Sequence, residues 1–223
     1  AAITPDTDAR LRYAGRLVST AGATVICIRE RHEGEEVINE IAALAADGSV
    51  EAVILAGGHD FYATPRISPD GTKLAWLSWD HPNMPWDGTE LKVAQIGADG
   101  LLGAARVVAG SRSDWISQPR WSPAGVLYFS AEPDGWMNIF REVDGKIETV
   151  TDFEAEFVGP DWVFGLVTFT FMADGGVLAG ARSGGRDQLV KSRADRAMQP
   201  IALPFHEVGR LSIAGARVVV RGA

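Results

Sequence analysis

Ser68-Pro69-Asp70-Gly71-Thr72-Lys73-Leu74-Ala75 decides the fold. Apolar Ile67 ends a short strand, Pro69 sets one turn position, Gly71 supplies positive φ at another, and an apolar strand runs back. That is a tight hairpin, and it recurs. Ser19-Thr20-Ala21-Gly22 precedes Ala23-Thr24-Val25-Ile26, and Ser122-Pro123-Ala124-Gly125 precedes Val126-Leu127-Tyr128-Phe129. Met172-Ala173-Asp174-Gly175 precedes Gly176-Val177-Leu178-Ala179, and Ser212-Ile213-Ala214-Gly215 precedes Ala216-Arg217-Val218-Val219. An apolar residue stands before each: Val18, Ile67, Trp121, Phe171 and Leu211.

Each hairpin is followed by a third strand pattern: Val37 to Leu44, Leu91 to Ile96, Met137 to Val143, and Gln188 to Ser192. A second turn comes next at Asp47-Gly48, Ala98-Asp99-Gly100 and Asp144-Gly145, with Arg193-Ala194-Asp195-Arg196 in the same place in the fourth copy. A shorter strand closes each unit: Ala52 to Leu55, Arg106 to Ala109, Ile147 to Thr149, and Met198 to Ala202. The one segment with a helical look is Glu36 to Ala46, where Val37, Ile41 and Leu44 would share a helix face. Its place in the repeat makes it a strand.

Four antiparallel strands in units of roughly 40–50 residues mark a β-propeller of four-stranded blades. The expected architecture is all-β: about four blades and the start of a fifth, a partial propeller. Blades are expected at 8–57, 58–110, 111–157 and 158–205, with the next beginning at 206–223. An open ring leaves unpaired strand edges. Either four blades close, with the last hairpin completing the first, or the chain is part of something longer. The second is the expectation here.

Composition narrows the function. The chain has 223 residues, 46% hydrophobic and 22% charged, as in ordinary globular domains. A net charge of −8 with no run of Lys or Arg argues against a nucleic-acid partner. No apolar stretch has the length of a membrane span, and no signal peptide is visible. Cys27 is the single cysteine, which excludes an internal disulfide and a multi-Cys metal site. Flanked by Val25, Ile26 and Ile28, it reads as a strand filler. A cytoplasmic location is expected.

The stretch Ser68 to Leu91 (SPDGTKLAWLSWDHPNMPWDGTEL) makes the Ser-Pro-Asp-Gly hairpins specific. With Gly58-His59-Asp60-Phe61-Tyr62, Glu154-Ala155-Glu156-Phe157 and Trp162-Val163-Phe164-Gly165, it resembles the N-terminal propeller of the prolyl oligopeptidase family of serine peptidases. The resemblance is nearest to acylaminoacyl-peptidase and dipeptidyl-aminopeptidase-like members, and it runs from about Asp8 to Ala223. It implies an enzyme of two domains, in which a propeller gates and orients short peptides for an α/β-hydrolase domain carrying Ser, Asp and His. That half is not in this sequence. Ser183-Gly184-Gly185 follows Arg182, and Ser111 sits in Gly110-Ser111-Arg112; neither makes G-x-S-x-G. The expected partners are therefore a peptide substrate and the missing hydrolase domain, with no catalytic residue and no cofactor here. The rival expectation is a non-enzymatic ligand-binding or interaction module, TolB-like or lectin-like.

The candidate contact residues follow. Ser78 to Leu91 joins the second and third strands of a blade, so it should emerge with the connections between blades. Pro82 and Pro85 stiffen it. Trp79 and Trp86 offer rigid aromatic surface for substrate or domain contact, or bury themselves over their own blade. His81 is a candidate contact whose plainer role is a backbone hydrogen bond. Asp87 is a further contact candidate; with Asp80 and Glu90 it matches no calcium-loop spacing, so no metal is expected. The resemblance implies that Glu154 and Glu156 hold a substrate's free ammonium group; the plainer reading is a solvated acidic turn. His59 and Asp60 read as a connection that hydrogen-bonds locally, and His32 and His206 as surface residues. Trp76, Trp121, Tyr128 and Phe171 are expected in the core.

Overall fold

The computed structural model describes residues 3–4, 7–18, 23–192, 198–204, 207–214 and 217–222. The turns at 19–22, 193–196 and 215, and His206, lie outside the described residues. No helix, and so none long and apolar enough to cross a membrane, occurs among those described.

Among the described residues eighteen strands form in chain order. The first sheet contains β1 (Arg10–Val18), β2 (Thr24–Glu33), β3 (Glu36–Ala45) and β4 (Val53–Ala56). The second contains β5 (Phe61–Ile67), β6 (Lys73–Trp79), β7 (Glu90–Gln95) and β8 (Arg106–Gly110). The third contains β9 (Ile116–Trp121), β10 (Leu127–Ala131), β11 (Asn138–Val143) and β12 (Lys146–Thr149). The fourth contains β13 (Phe169–Phe171), β14 (Val177–Ser183), β15 (Arg186–Ser192) and β16 (Gln199–Ile201). A hairpin of β17 (Val208–Ala214) and β18 (Arg217–Gly222) follows. Every four-stranded sheet is an antiparallel meander in sequence order. The chain forms two compact units, Ala1–Ser113 with the first two sheets and Asp114–Ala223 with the rest.

The hairpin chemistry is uniform. The Gly71, Gly125 and Gly175 amides each donate to the carbonyl three residues back, at Ser68, Ser122 and Met172, over 2.9–3.0 Å. All three glycines have φ between +75° and +82°, the left-handed region that a Cβ disfavours. The Asp70 carboxylate accepts the Ser68 hydroxyl at 2.5 Å and the Thr72 amide at 3.1 Å, locking the turn. These bonds to the ionised form hold its pKa down to about 2.

The helical-looking segment is β3, paired with β2 at every position from Thr24↔Ala45 to Glu33↔Glu36. Ile41, Ala42 and Leu44 are all buried. Alanines on a sheet covered on both faces explain the helix-like composition, and pairing on two edges overrides propensity.

A second device repeats on the first strand of a sheet. Gly15, Thr64 and Gln118 adopt φ of +68°, +46° and +50°, each where the strand register slips against its neighbour. These are bulges, which bend and twist a strand. Thr64 and Gln118 both stand before Pro-Arg (Thr64-Pro65-Arg66 and Gln118-Pro119-Arg120), so the repeat extends to the bulge itself.

The cores are of the expected kind. In the first unit Ile26, Ile28, Ile41, Tyr62, Leu74 and Trp76 pack together. In the second, Tyr128, Ile139, Phe157, Phe169 and Ala179 do so. Trp76 and Tyr128 are buried as expected, whereas Trp121 and Phe171 are only partly buried. Both end a first strand beside the hairpin turn, and Phe171 packs from there against the buried cluster of the second unit.

Candidate functional site

The loop 80–89 connects β6 to β7. It is built from its own turns: the Asp87 carboxylate accepts the Met84 amide at 2.9 Å, the Asp87 amide donates to the Met84 carbonyl at 2.9 Å, and the Thr89 hydroxyl donates to the Pro85 carbonyl at 2.5 Å. The His81-Pro82 peptide is cis. Asp87, a candidate contact residue, is thus a capping residue of the loop.

The loop is seated on two connections. On one side the Asn83 side-chain amide donates to the Arg112 carbonyl at 2.7 Å. Gly88 presses on the same carbonyl so closely that a Cβ would lie 2.1 Å from it. On the other side the His81 amide donates to the Asp60 carboxylate at 2.8 Å, and the Asp60 amide donates to the Asp80 carboxylate at 2.9 Å. The loop therefore emerges beside the β4–β5 and β8–β9 connections, as its place in the repeat requires.

Beneath this seat runs a chain of charges. The His59 ring Nδ1 faces both Asp80 oxygens at 3.0 and 3.1 Å. Its Nε2 faces the Lys92 ammonium at 2.5 Å, and that ammonium lies 3.0 Å from the Glu90 carboxylate. The His59 amide donates to the Tyr62 hydroxyl at 3.1 Å. Burial pushes the Asp80 carboxyl up, but the Asp60 amide, the His59 ring and the Arg112 charge outweigh it, and the pKa falls below the ordinary range. Burial, with the charges of Asp80 and Glu40, pushes the Tyr62 phenol up. A cavity of about 110 Å³ opens here, lined by His59, Ser78, Asp80, Asn83, Glu90 and Arg112 among others.

The aromatic candidates are neither core nor free. Trp79 stacks on Phe61, with centroids 5.4 Å apart and planes at 19°, and is half-buried; Trp86 is half-buried too. His81 is exposed, and its backbone amide carries the bond that holds the loop. His59 and Asp60 hydrogen-bond locally, the His59 amide to Tyr62, and also reach Asp80 and His81 about twenty positions away, so their role extends beyond a local connection.

Glu154 and Glu156 part company. They are two residues apart, but the chain bends at 153–155, so they do not share the single face that i and i+2 would share on a regular strand. Glu154 is exposed and lines a cavity of about 330 Å³ with Phe153, Gln188 and Met198. Glu156 lines a different cavity, of about 400 Å³, with Trp115, Thr168, Arg182 and Asp187. Its carboxylate accepts the Met137 amide at 3.2 Å, and its backbone exchanges two 2.9 Å hydrogen bonds with Arg182. The paired-carboxylate arrangement is not formed.

Beside that second cavity, burial pushes the Asp161 carboxyl up, opposed by the hydroxyl of Ser117 and the indole of Trp115. Gln118 bonds Thr168 there twice. The sequence reading missed Asp161, Gln118 and Lys92. Only the Thr-Pro-Arg and Gln-Pro-Arg repeat could have pointed to Gln118. Among the described residues no group of three or more His, Cys, Asp or Glu is arranged to hold a metal ion.

Against known structures the chain aligns over 99% of its length with puromycin hydrolase, at 32% identity and a TM-score of 0.90. It aligns over 95% with a puromycin-hydrolyzing peptidase of Mycobacterium tuberculosis, at 31% identity and a TM-score of 0.87. The chain shares its β-propeller fold with these proteins. It spans about a third of their length, 36% and 34%. Prolyl oligopeptidase B of Galerina marginata (12% identity, TM-score 0.70, 92% of this chain and 30% of that one) and TolB of Acinetobacter baumannii (15%, 0.59, 94% and 51%) show the fold alone. No family model matches the chain, and no curated protein matches it. The architecture is a partial β-propeller of four four-stranded blades and the first hairpin of a fifth.

Proposed function

We propose that the chain is the propeller part of a serine peptidase of the prolyl oligopeptidase family. It gates and orients substrate for a Ser-Asp-His hydrolase domain carried elsewhere in the protein. The observation that carries this is the 32% identity to puromycin hydrolase over 99% of the chain, together with the Trp-Asp-His-Pro-Asn-Met-Pro-Trp-Asp-Gly run. The substrate class is a short peptide or aminoacyl amide, and the setting is cytoplasmic. Trp79, Trp86 and His81 present the loop surface that meets substrate or the hydrolase domain, with Asp87 fixing the loop. Glu156, in the larger cavity, is a better candidate than exposed Glu154 for a substrate ammonium.

The test uses the protein of the whole reading frame. It should hydrolyse aminoacyl p-nitroanilides and puromycin, and a serine-directed inhibitor should abolish the activity. The 223-residue chain alone should show none. A whole protein without a G-x-S-x-G segment and without turnover would support the second reading, a TolB-like binding module, which the TolB likeness keeps in view.

A further inference from the structure

At the end of the first unit away from the Trp/Pro loop, the first two sheets leave a cavity of about 480 Å³ beside the turns that join their strands. We propose that this cavity binds a small apolar molecule carrying one positive charge, an aryl- or alkylammonium, with its body between the sheets and its ammonium on Asp99. The inference goes beyond the peptidase reading and does not depend on it.

The cavity follows from small side chains set among large ones. Across the first sheet Ile26, Ala43 and Val53 stand side by side on one face, and in the next row of that face Thr24 pairs with Ala45. The two alanines make a dip between branched neighbours. On the second sheet Ile67 ends β5 and Ile96 follows β7, next to turns where Gly71 and Gly100 bring backbone alone to the wall. The buried cluster that joins the two sheets shows the consequence. Ala43, Leu55, Ile67 and Ile96 pack against it while only partly buried, and all four line the cavity. Protein interiors pack as densely as organic crystals, so the core is incomplete here.

The mouth is apolar as well. Val50, Val53 and Leu101 line it and are 59%, 43% and 45% exposed. Single exposed apolar residues are ordinary, but three around one opening offer surface that an apolar ligand removes from water. The volume falls within the roughly 300–1,000 Å³ of small-molecule sites. It suits one aromatic ring with a short chain.

Charge selects the head group. Among the described residues that line the cavity, Asp99 alone is ionisable. Its carboxylate is held at the rim: Oδ1 accepts the Leu101 amide at 3.0 Å and folds over Gly97, where a Cβ would lie only 2.6 Å from that oxygen. The turn beneath is closed by the Gly97 amide on the Leu101 carbonyl at 2.8 Å and by the Gly100 amide on the Gly97 carbonyl at 2.9 Å. The second carboxylate oxygen can accept an ammonium N–H. A carboxylate at an apolar mouth attracts a cation and repels an anion. The net charge of −8 acts in the same sense.

Methyl carbon-13 NMR of the 223-residue chain, titrated with phenethylammonium, phenethyl alcohol and hydrocinnamate, tests the site. Phenethylammonium should shift the Ile26, Ile67, Ile96 and Leu101 methyl signals saturably and with one affinity. The neutral alcohol should bind more weakly, and the carboxylate most weakly. Asp99→Asn should weaken the cation about two- to five-fold, as for a single exposed ion pair, and leave the alcohol unchanged. Ala43→Met fills the dip and should abolish binding of all three. If that variant does not fold, Leu101→Ser at the exposed rim decides, and it should weaken all three several-fold. The proposal is overturned by the absence of saturable shifts with phenethylammonium, or by hydrocinnamate binding as well as the cation. It is overturned equally by an Asp99→Asn chain that binds the cation unchanged, or by a folded Ala43→Met chain, or failing that a Leu101→Ser chain, that binds like the native one.

Discussion

Gln118 and Thr168, fifty residues apart, hold each other twice. The Gln118 side-chain amide donates to the Thr168 hydroxyl oxygen at 2.8 Å, and the Thr168 backbone amide donates to the Gln118 carbonyl oxygen at 2.8 Å. The Thr168 hydroxyl in turn donates to the Phe157 carbonyl. One side chain on the third sheet thus fixes the start of the fourth, and it does so from a left-handed bulge.

Gln118→Ala removes both bonds and strands the Thr168 amide. The expected loss is about 1–3 kcal/mol in urea unfolding, with an unchanged m-value. A loss below a few tenths would mean that water replaces the carboxamide without cost.

At the matching bulge in the second sheet, Thr64 is a β-branched residue at φ +46° with a buried hydroxyl that has no partner. The left-handed conformation costs a non-glycine residue about 1–2 kcal/mol. Thr64→Gly relieves this against a smaller entropic penalty of about 0.5–1 kcal/mol. Stability should rise by up to about 1 kcal/mol, read as a higher melting temperature. A clear fall would show that the threonine methyl contributes more packing than the backbone strain costs.

Gly88→Ala should unseat the Trp/Pro loop. Its Cβ would collide with the Arg112 carbonyl at 2.1 Å and with the Asn83 amide at 2.4 Å, so backbone must shift. Overpacking of this kind costs about 1–3 kcal/mol. The Trp79 and Trp86 indole signals should move while those of the second unit do not. Asn83→Ala, which removes the same anchor without a clash, should move the same two signals less.

The Asp70 carboxyl offers a pH test of the hairpin turn. Its folded pKa of about 2 lies below the roughly 3.9 of an unfolded aspartate. Its contribution is therefore fully present above about pH 4 and is lost as pH falls through about 2. Carbon-13 NMR should find it ionised at pH 3. Ser68→Ala, which removes the Ser68 hydroxyl, should raise its titration midpoint. A midpoint near 4 in the native chain would mean that the turn does not hold the carboxylate.

The Asp161 carboxyl has the opposite sign. Burial raises its folded pKa, so the folded state binds the proton more tightly and stability falls as pH rises through that value. Asp161→Asn should be more stable than the native chain at pH 7 and gain little at pH 4. Equal gains at both pH values would show that the carboxylate is adequately solvated.

The order of strands was written in the chain. Gly71, Gly125 and Gly175 need positive φ, the apolar runs on either side need partners, and both are local demands visible residue by residue. The same regularity placed Glu36 to Ala46 in a strand against its composition. Spacing also put the Trp/Pro loop beside the connections between sheets. What the folded chain alone decided is which polar groups meet. Lys92, His59 and Asp80 come from three separate segments, and their encounter depends on side-chain reach across a pleated surface, to within a few tenths of an ångström. Glu154 and Glu156 were separated by a bend at 153–155 that their spacing does not announce, and Gln118 found Thr168 through a bulge that no hydropathy pattern records. Pattern is local and survives small shifts of position; a charge relay is long-range in sequence, short-range in space, and exists only once packing has fixed every partner.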